Sequence, residues 1–197
     1  MKNREGMAEE STEERILDAA FDVLQEKTLS GVRMALVAQR AGLFQSNIHY
    51  YYKSKRELLL AVQKKVLQHC IELRRSLGGT RDTMEAQLDA FWGQKKHSIL
   101  EEPKYDYAEI EFWAQARVDE ALRAEICASF QNWRRELESM LDTFAGHLPA
   151  ERRRLLAAVM VSMMEGASVQ YLAQPSAFDL DAYFDYCNQI VLREVRA

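Results

Sequence analysis

Long apolar runs are missing from this chain. The stretch LLAAVMVSMM at residues 155–164 is ten residues without a charge, well short of the 18 or more that suggest a membrane helix. The opening MKNREGMAEESTEER lacks the apolar centre of a secretory signal. The protein is therefore expected in the cytoplasm, with no membrane partner. Cysteine is scarce too: Cys70, Cys127 and Cys187 are odd in number and far apart. That spacing excludes a disulfide framework and a zinc motif, and the three read as free thiols packed as small hydrophobes. No glycine-rich phosphate loop, His-Glu-x-x-His or Cys-x-x-Cys occurs, and His49, His69, His97 and His147 are scattered. No catalytic residue, metal site or cofactor is expected.

Acidic residues are nearly absent from one segment. Between residues 27 and 65 the only acid is Glu57, against Lys27, Arg33, Arg40, Lys53, Lys55, Arg56, Lys64 and Lys65. That segment carries +7 and the remainder −11, within a net −4. A cationic segment in an acidic protein points to a local polyanion site; an ordinary solvated face is the other reading of charge alone.

What is present is helical. Hydrophobic residues make up 48% and charged residues 28% of 197 residues, enough to bury a core in one or two modest domains. Gly31, Gly42, Gly78-Gly79, Pro103, Gly146 with Pro149, and Pro175 punctuate the chain. The apolar spacing between them is helical, with no sustained alternation. Ser11 with Glu14 is a capping-box signature for the first helix. Further helices are predicted over about 34–41, 45–51, 54–76, 81–100, 104–118, 120–145, 150–173 and 179–195. The fold class is all-α, about nine helices.

The front unit reads as a helix-turn-helix. Ala38 permits close helix approach, Gly42 suits the positive φ that ends a helix, and Ile48 and Tyr52, four apart, face inward. The helix at 45–51 then exposes Gln45, Ser46, Asn47, His49, Tyr50 and Tyr51. Short polar groups suit base edges and tyrosine hydroxyls suit phosphates. Lys53 and Lys55 behind them, with Arg33 and Met34 at the start of the second helix, complete the expected DNA-binding set.

Residues 16–62, ILDAAFDVLQEKTLSGVRMALVAQRAGLFQSNIHYYYKSKRELLLAV, resemble the DNA-binding domain of the tetracycline-repressor family. The matching features are Ile16 to Ala20 in the first helix, and Tyr52, Lys53, Ser54, Lys55 and Leu58 after the recognition helix. Two positions depart from that pattern. Arg33 and Phe44 stand where the family usually has Thr or Ser opening a helix, so either Phe44 or Gln45 opens the recognition helix. The resemblance implies a ligand-responsive regulator, a repressor, that binds a palindromic operator in double-stranded DNA as a homodimer.

Residues beyond about 65 resemble the carboxyl domain of the choline-responsive betaine-synthesis regulators, through Phe112-Trp113, Leu122-Arg123, Trp133 and Glu165-Gly166. A small-molecule effector is expected among helices 81–145. Candidate lining residues are Trp92, Tyr107, Phe112, Trp113, Phe130, Met163 and Glu165, with Asp106 and either Glu109 or Glu111 nearby. Aromatics beside carboxylates suit a cation; the same spacing also suits plain core. The last two helices are expected to form the dimer interface through Ala158, Ser162, Gly166, Tyr183, Phe184, Cys187, Ile190 and Val191. Intramolecular core is the alternative use of these residues. The expected division is a flexible tail over 1–11, a DNA-binding domain over 12–58 and a regulatory domain over 59–197. A helical protein-interaction adaptor is the rival function. It accounts for a bundle but not for the +7 segment.

Overall fold

The computed structural model describes residues 11–76 and 82–196. These form nine α-helices and no strand: α1 Thr12–Gly31, α2 Met34–Ala41, α3 Gln45–Tyr51, α4 Lys55–Ser76, α5 Met84–Glu101, α6 Pro103–Ala116, α7 Glu120–Phe144, α8 Ala150–Ala173 and α9 Leu180–Arg196. The expected tail, apart from Ser11, and the Gly78-Gly79 break lie outside the described residues. Contacts divide the chain into one unit ending at Lys65 and another starting at Val66. That division falls inside α4, seven residues beyond the expected boundary.

Local chemistry sets the helix ends. The Ser11 hydroxyl accepts from the Glu14 N–H at 3.1 Å while the Glu14 carboxylate accepts from the Ser11 N–H at 2.9 Å, a complete capping box. Thr83 caps α5 and Asp119 caps α7 through side-chain oxygens. Gly42 ends α2 at φ 65°, where a glycine pays no Cβ penalty. Thr28 holds φ 59°, ψ 170° inside α1, so the helix kinks there. For a β-branched residue that conformation is strained by about 1–3 kcal/mol.

In the first unit, Ile16, Leu24, Val37, Ile48, Leu58 and Val62 form a buried core. Arg15 donates to the Ala41 carbonyl at 2.7 Å, and the Tyr52 hydroxyl donates to Glu13 at 3.0 Å. These two long-range bonds fix α1 to the ends of α2 and α3. In the second unit Leu88, Ile99, Leu137, Leu141, Met160 and Met164 are fully buried. α8 is long and apolar enough to cross a bilayer by length and composition. It nevertheless carries the polar side chain of Glu165, and its Leu156, Ala157, Met160, Val161 and Met164 are buried in the bundle.

Candidate nucleic-acid interface

α3 is seven residues long and turns one side chain, Ile48, into the core. Tyr52 follows it inward at the C-cap. Gln45, Ser46, Asn47, His49, Tyr50 and Tyr51 are all exposed. The helix starts at Gln45, with Phe44 as N-cap. A phenylalanine cannot accept from the first turn, so the cap is rebuilt from inside. Asn47 Oδ1 accepts from the Phe44 N–H at 3.0 Å, and the Asn47 N–H donates to the Phe44 carbonyl at 2.9 Å. Asn47 is thus half committed to structure, leaving its amide NH2 for other use. Gln45 Nε2 lies 3.3 Å from His49 Nε2, one turn on, so the two side chains hold each other on the surface. The Tyr50 and Tyr51 rings meet edge to face at 5.2 Å, which stiffens both.

Five of the eight cations of this segment fall into two groups by the partners they hold. Arg40 bonds Glu26 at 2.7 Å with Asp22 at 3.8 Å, and Lys65 bonds Asp18. The acids of α1 therefore absorb both charges. For Lys53, Arg33 and Lys55 the partners are carbonyls instead. Lys53 donates to the His49 and Tyr50 carbonyls, each at 3.2 Å, and sits 6.0 Å from the Tyr50 ring centroid. Arg33 and Lys55 both donate to the Ser30 carbonyl, at 2.6 and 3.1 Å. Burial and then the Arg33 guanidinium push the Lys55 ammonium below its ordinary pKa. A carbonyl positions a cation without neutralising it, so the charge of Lys53 stays at the end of α3 and those of Arg33 and Lys55 meet at Ser30. Met34 departs from the prediction. It is 9% exposed and belongs to the core of the first unit, because the first turn of α2 directs it inward with Val37 and Ala38. It offers no side-chain surface to a partner.

In the second unit the predicted pocket residues are not brought to one place. Trp92 is core, stacked on Phe184 at 5.7 Å. Phe112 is 1% exposed and Tyr107 49%. Met163 is half-buried, and its carbonyl accepts from the Tyr183 hydroxyl at 2.9 Å. Trp113 and Phe130, both half-buried, do meet, with ring centroids 5.7 Å apart. Glu165 belongs to a buried ionic cluster whose central cation the sequence reading missed. Lys95 Nζ donates to Asp106 at 2.6 Å and to Glu165 at 3.3 Å. Ser98 and Ser168 donate to Asp106 at 3.2 and 2.8 Å. The Asp106, Glu109 and Glu165 carboxylates lie within 4.8 Å of one another, so Glu109, not Glu111, joins them. Burial alone lowers the Lys95 pKa, but the carboxylates of Glu165, Asp106 and Glu109 outweigh it and hold the ammonium above its ordinary value. A signal for Lys95 was present: Leu88, Trp92, Lys95 and Ile99 share one helical stripe.

The expected dimer residues divide as well. Phe184, Cys187 and Val191 are 5%, 2% and 0% exposed and pack in the core of their own unit; burial pushes the Cys187 thiol upward. They present no surface to a second chain. Tyr183 is half-buried, and burial and then Cys187 push its phenol up to about 12. Ala158, Gly166 and Ile190 are half-buried and Ser162 is exposed. The outward stripe of α8 is Leu155, Val159, Ser162 and Val169, with Leu155 62% exposed. On α9 Tyr186 is also exposed, and a groove between the two helices is lined by Pro149, Leu155, Leu156, Val159 and Ile190.

Residues 16–62 match the family described as bacterial regulatory proteins, tetR family. Residues 107–196 match the C-terminal domain described as BetI-type transcriptional repressor. The HTH-type transcriptional regulator of the dhlA 5' region of Xanthobacter autotrophicus is 28% identical, over 97% of this chain and 94% of its own. The HTH-type transcriptional regulator BetI of Burkholderia thailandensis is 25% identical, over 90% of each chain. A transcriptional regulator from Saccharomonospora viridis, solved in complex with choline, shares the fold with a TM-score of 0.80 at 15% identity, over 91% of this chain and 94% of that one. These relatives are transcriptional regulators, not enzymes. With its two segments covering more than two thirds of the sequence, and with α2 and α3 set as a helix-turn-helix, this chain belongs to the tetracycline-repressor family of DNA-binding transcriptional regulators.

Proposed function

We propose that the protein is a cytoplasmic repressor that binds a palindromic operator as a homodimer and is released by a small-molecule effector. The observation that carries this is the outer face of α3. Six polar or phenolic side chains are exposed on it while Ile48 and Tyr52 anchor it, Lys53 is held on its carbonyls, and Arg33 and Lys55 meet at the Ser30 carbonyl. Such a face fits a major groove, with polar groups for base edges and cations for phosphates. Two such faces related by a two-fold axis read two half-sites. The apolar stripe of α8 and α9 is the surface that supplies the axis. A helical adaptor has no need of a base-sized polar face flanked by cations.

The effector is assigned to the half-buried pair Trp113 and Phe130. One similar structure holds choline, but in this chain the buried carboxylates of Asp106 and Glu165 already hold the ammonium of Lys95.

Selection from random duplex DNA tests the reading. The expected result is an inverted repeat whose affinity falls by orders of magnitude over a few-fold rise in salt. Selection of no sequence, or an affinity flat with salt, leaves the adaptor reading standing instead.

A further inference from the structure

Phe44 is 82% exposed, more than any other large hydrophobic among the described residues. It stands at the N-cap of α3 yet performs no capping, since Asn47 Oδ1 takes the Phe44 N–H in place of a side-chain cap. Nor does it fill the core, which Ile48 and Tyr52 close from the other side. The fold therefore has no use for this ring. The helix that follows it carries Gln45, Ser46, Asn47 and His49, all exposed and all polar, and the cation Lys53 is held on carbonyls of the same helix.

An apolar ring in the middle of a polar, cationic face needs a partner that is anionic overall and apolar at one point. Phosphates and sugar oxygens do not supply that point. In the major groove the edges of guanine, cytosine and adenine present hydrogen-bond donors and acceptors, and the one methyl group belongs to thymine at C5. We infer that Phe44 is a specificity-determining residue, its ring packing on the 5-methyl group of one thymine in each operator half-site. This rests on the operator reading above and deepens it: a position of the half-site is selected through apolar contact, not through a hydrogen bond.

Uracil isolates the contact, because replacing thymine by deoxyuridine removes the methyl and leaves every hydrogen-bonding group. In the selected operator each thymine is replaced in turn and binding is measured for the wild type, Phe44→Ser and Phe44→Leu. One position per half-site is expected to weaken the wild type by about four-fold, and by about fifteen-fold when both half-sites are changed. Phe44→Ser loses that sensitivity at that position alone. A serine there also gains a capping hydroxyl, so its melting temperature does not fall below the wild type's. Phe44→Leu, which keeps an apolar side chain, retains the sensitivity. If the wild type tolerates uracil everywhere, or if Phe44→Ser keeps the same sensitive position, the inference is overturned while the operator reading survives. If no sequence is selected at all, the operator reading fails and the inference falls with it.

Discussion

A lysine placed in an apolar core needs a reason, and Lys95 has three carboxylates as its reason. Its side chain is 4% exposed and that of Asp106 2%. An isolated buried charge is prohibitively costly; here the ammonium faces carboxylates, and Asp106 also accepts from the Ser98 and Ser168 hydroxyls. The expected consequence is an asymmetry between neighbours. Lys95→Met strands the carboxylates and should lower unfolding free energy by about 3–5 kcal/mol in urea titration. Lys96→Met breaks only the more exposed pair with Asp181 and should stay within about 1 kcal/mol. Equal, small losses would show that the carboxylates simply take up protons. Part of this was readable in advance: Glu165 stands out inside an apolar helix, and Asp106 beside aromatics. Lys95 stands out less, because a lone lysine on a helix normally reaches solvent along its flexible stem, and what denies it that route is the packing of Asp106 on α6 and Glu165 on α8 against it.

At the level of elements, the first unit holds two positive-φ residues of opposite character. Gly42 at φ 65° is where the conformation belongs, and a Cβ there meets nothing closer than 3.7 Å from the Arg15 guanidinium. Gly42→Ala should therefore cost only the left-handed penalty of about 1–2 kcal/mol, with no clash added. Thr28 at φ 59° is where the conformation is resisted. Thr28→Gly should relieve strain, offset in part by the greater freedom of glycine in the unfolded chain, for a net gain of about 1 kcal/mol. Thermal unfolding of the two variants checks the opposite signs. The glycine was legible as a helix end because turn chemistry is local. The kink at Thr28 was not, since nothing in the neighbouring residues asks a β-branched side chain to take that conformation. Its likeness to a strained hinge appears only once Ser30, two residues on, is seen accepting from Arg33 and Lys55.

For the whole molecule the decisive surface is the outer stripe of α8 and α9. Leu155, Val159, Val169 and Tyr186 are 62%, 45%, 47% and 60% exposed, and the groove beside them is rimmed by Glu151, Arg152 and Glu194, with Arg152 bonded to Glu194. An apolar centre with a charged rim is the anatomy of a protein interface. If the proposed dimer forms through this stripe, Leu155→Glu should give a monomer in analytical ultracentrifugation where the wild type sediments as a dimer, and operator affinity should fall because one half-site then binds without the other. Cys187→Ser is the contrast: it lies in the core, so it should lower stability and leave the assembly state unchanged. A dimer that survives Leu155→Glu would move the two-fold axis to another face.

The sequence by itself determined the helices and the polar face of α3. Caps, breakers and apolar periodicity act over three or four residues, so Ser11, Gly42 and the spacing of Ile48 and Tyr52 carry their meaning locally. Only the tertiary structure decided which apolar residues are core. A helix such as α8, apolar nearly all round, gives no local sign of which side its own bundle covers. Packing of α5, α7 and α9 against it buried Met160 and Met164 and left Leu155 and Val159 outside. Likewise Phe184, Cys187 and Val191 share a stripe with no mark of inward or outward, and contact with Trp92, about ninety residues earlier, turned it inward. Lys95 is the same case in charge: its partners lie 11 and 70 residues away, a distance over which only the folded chain has information.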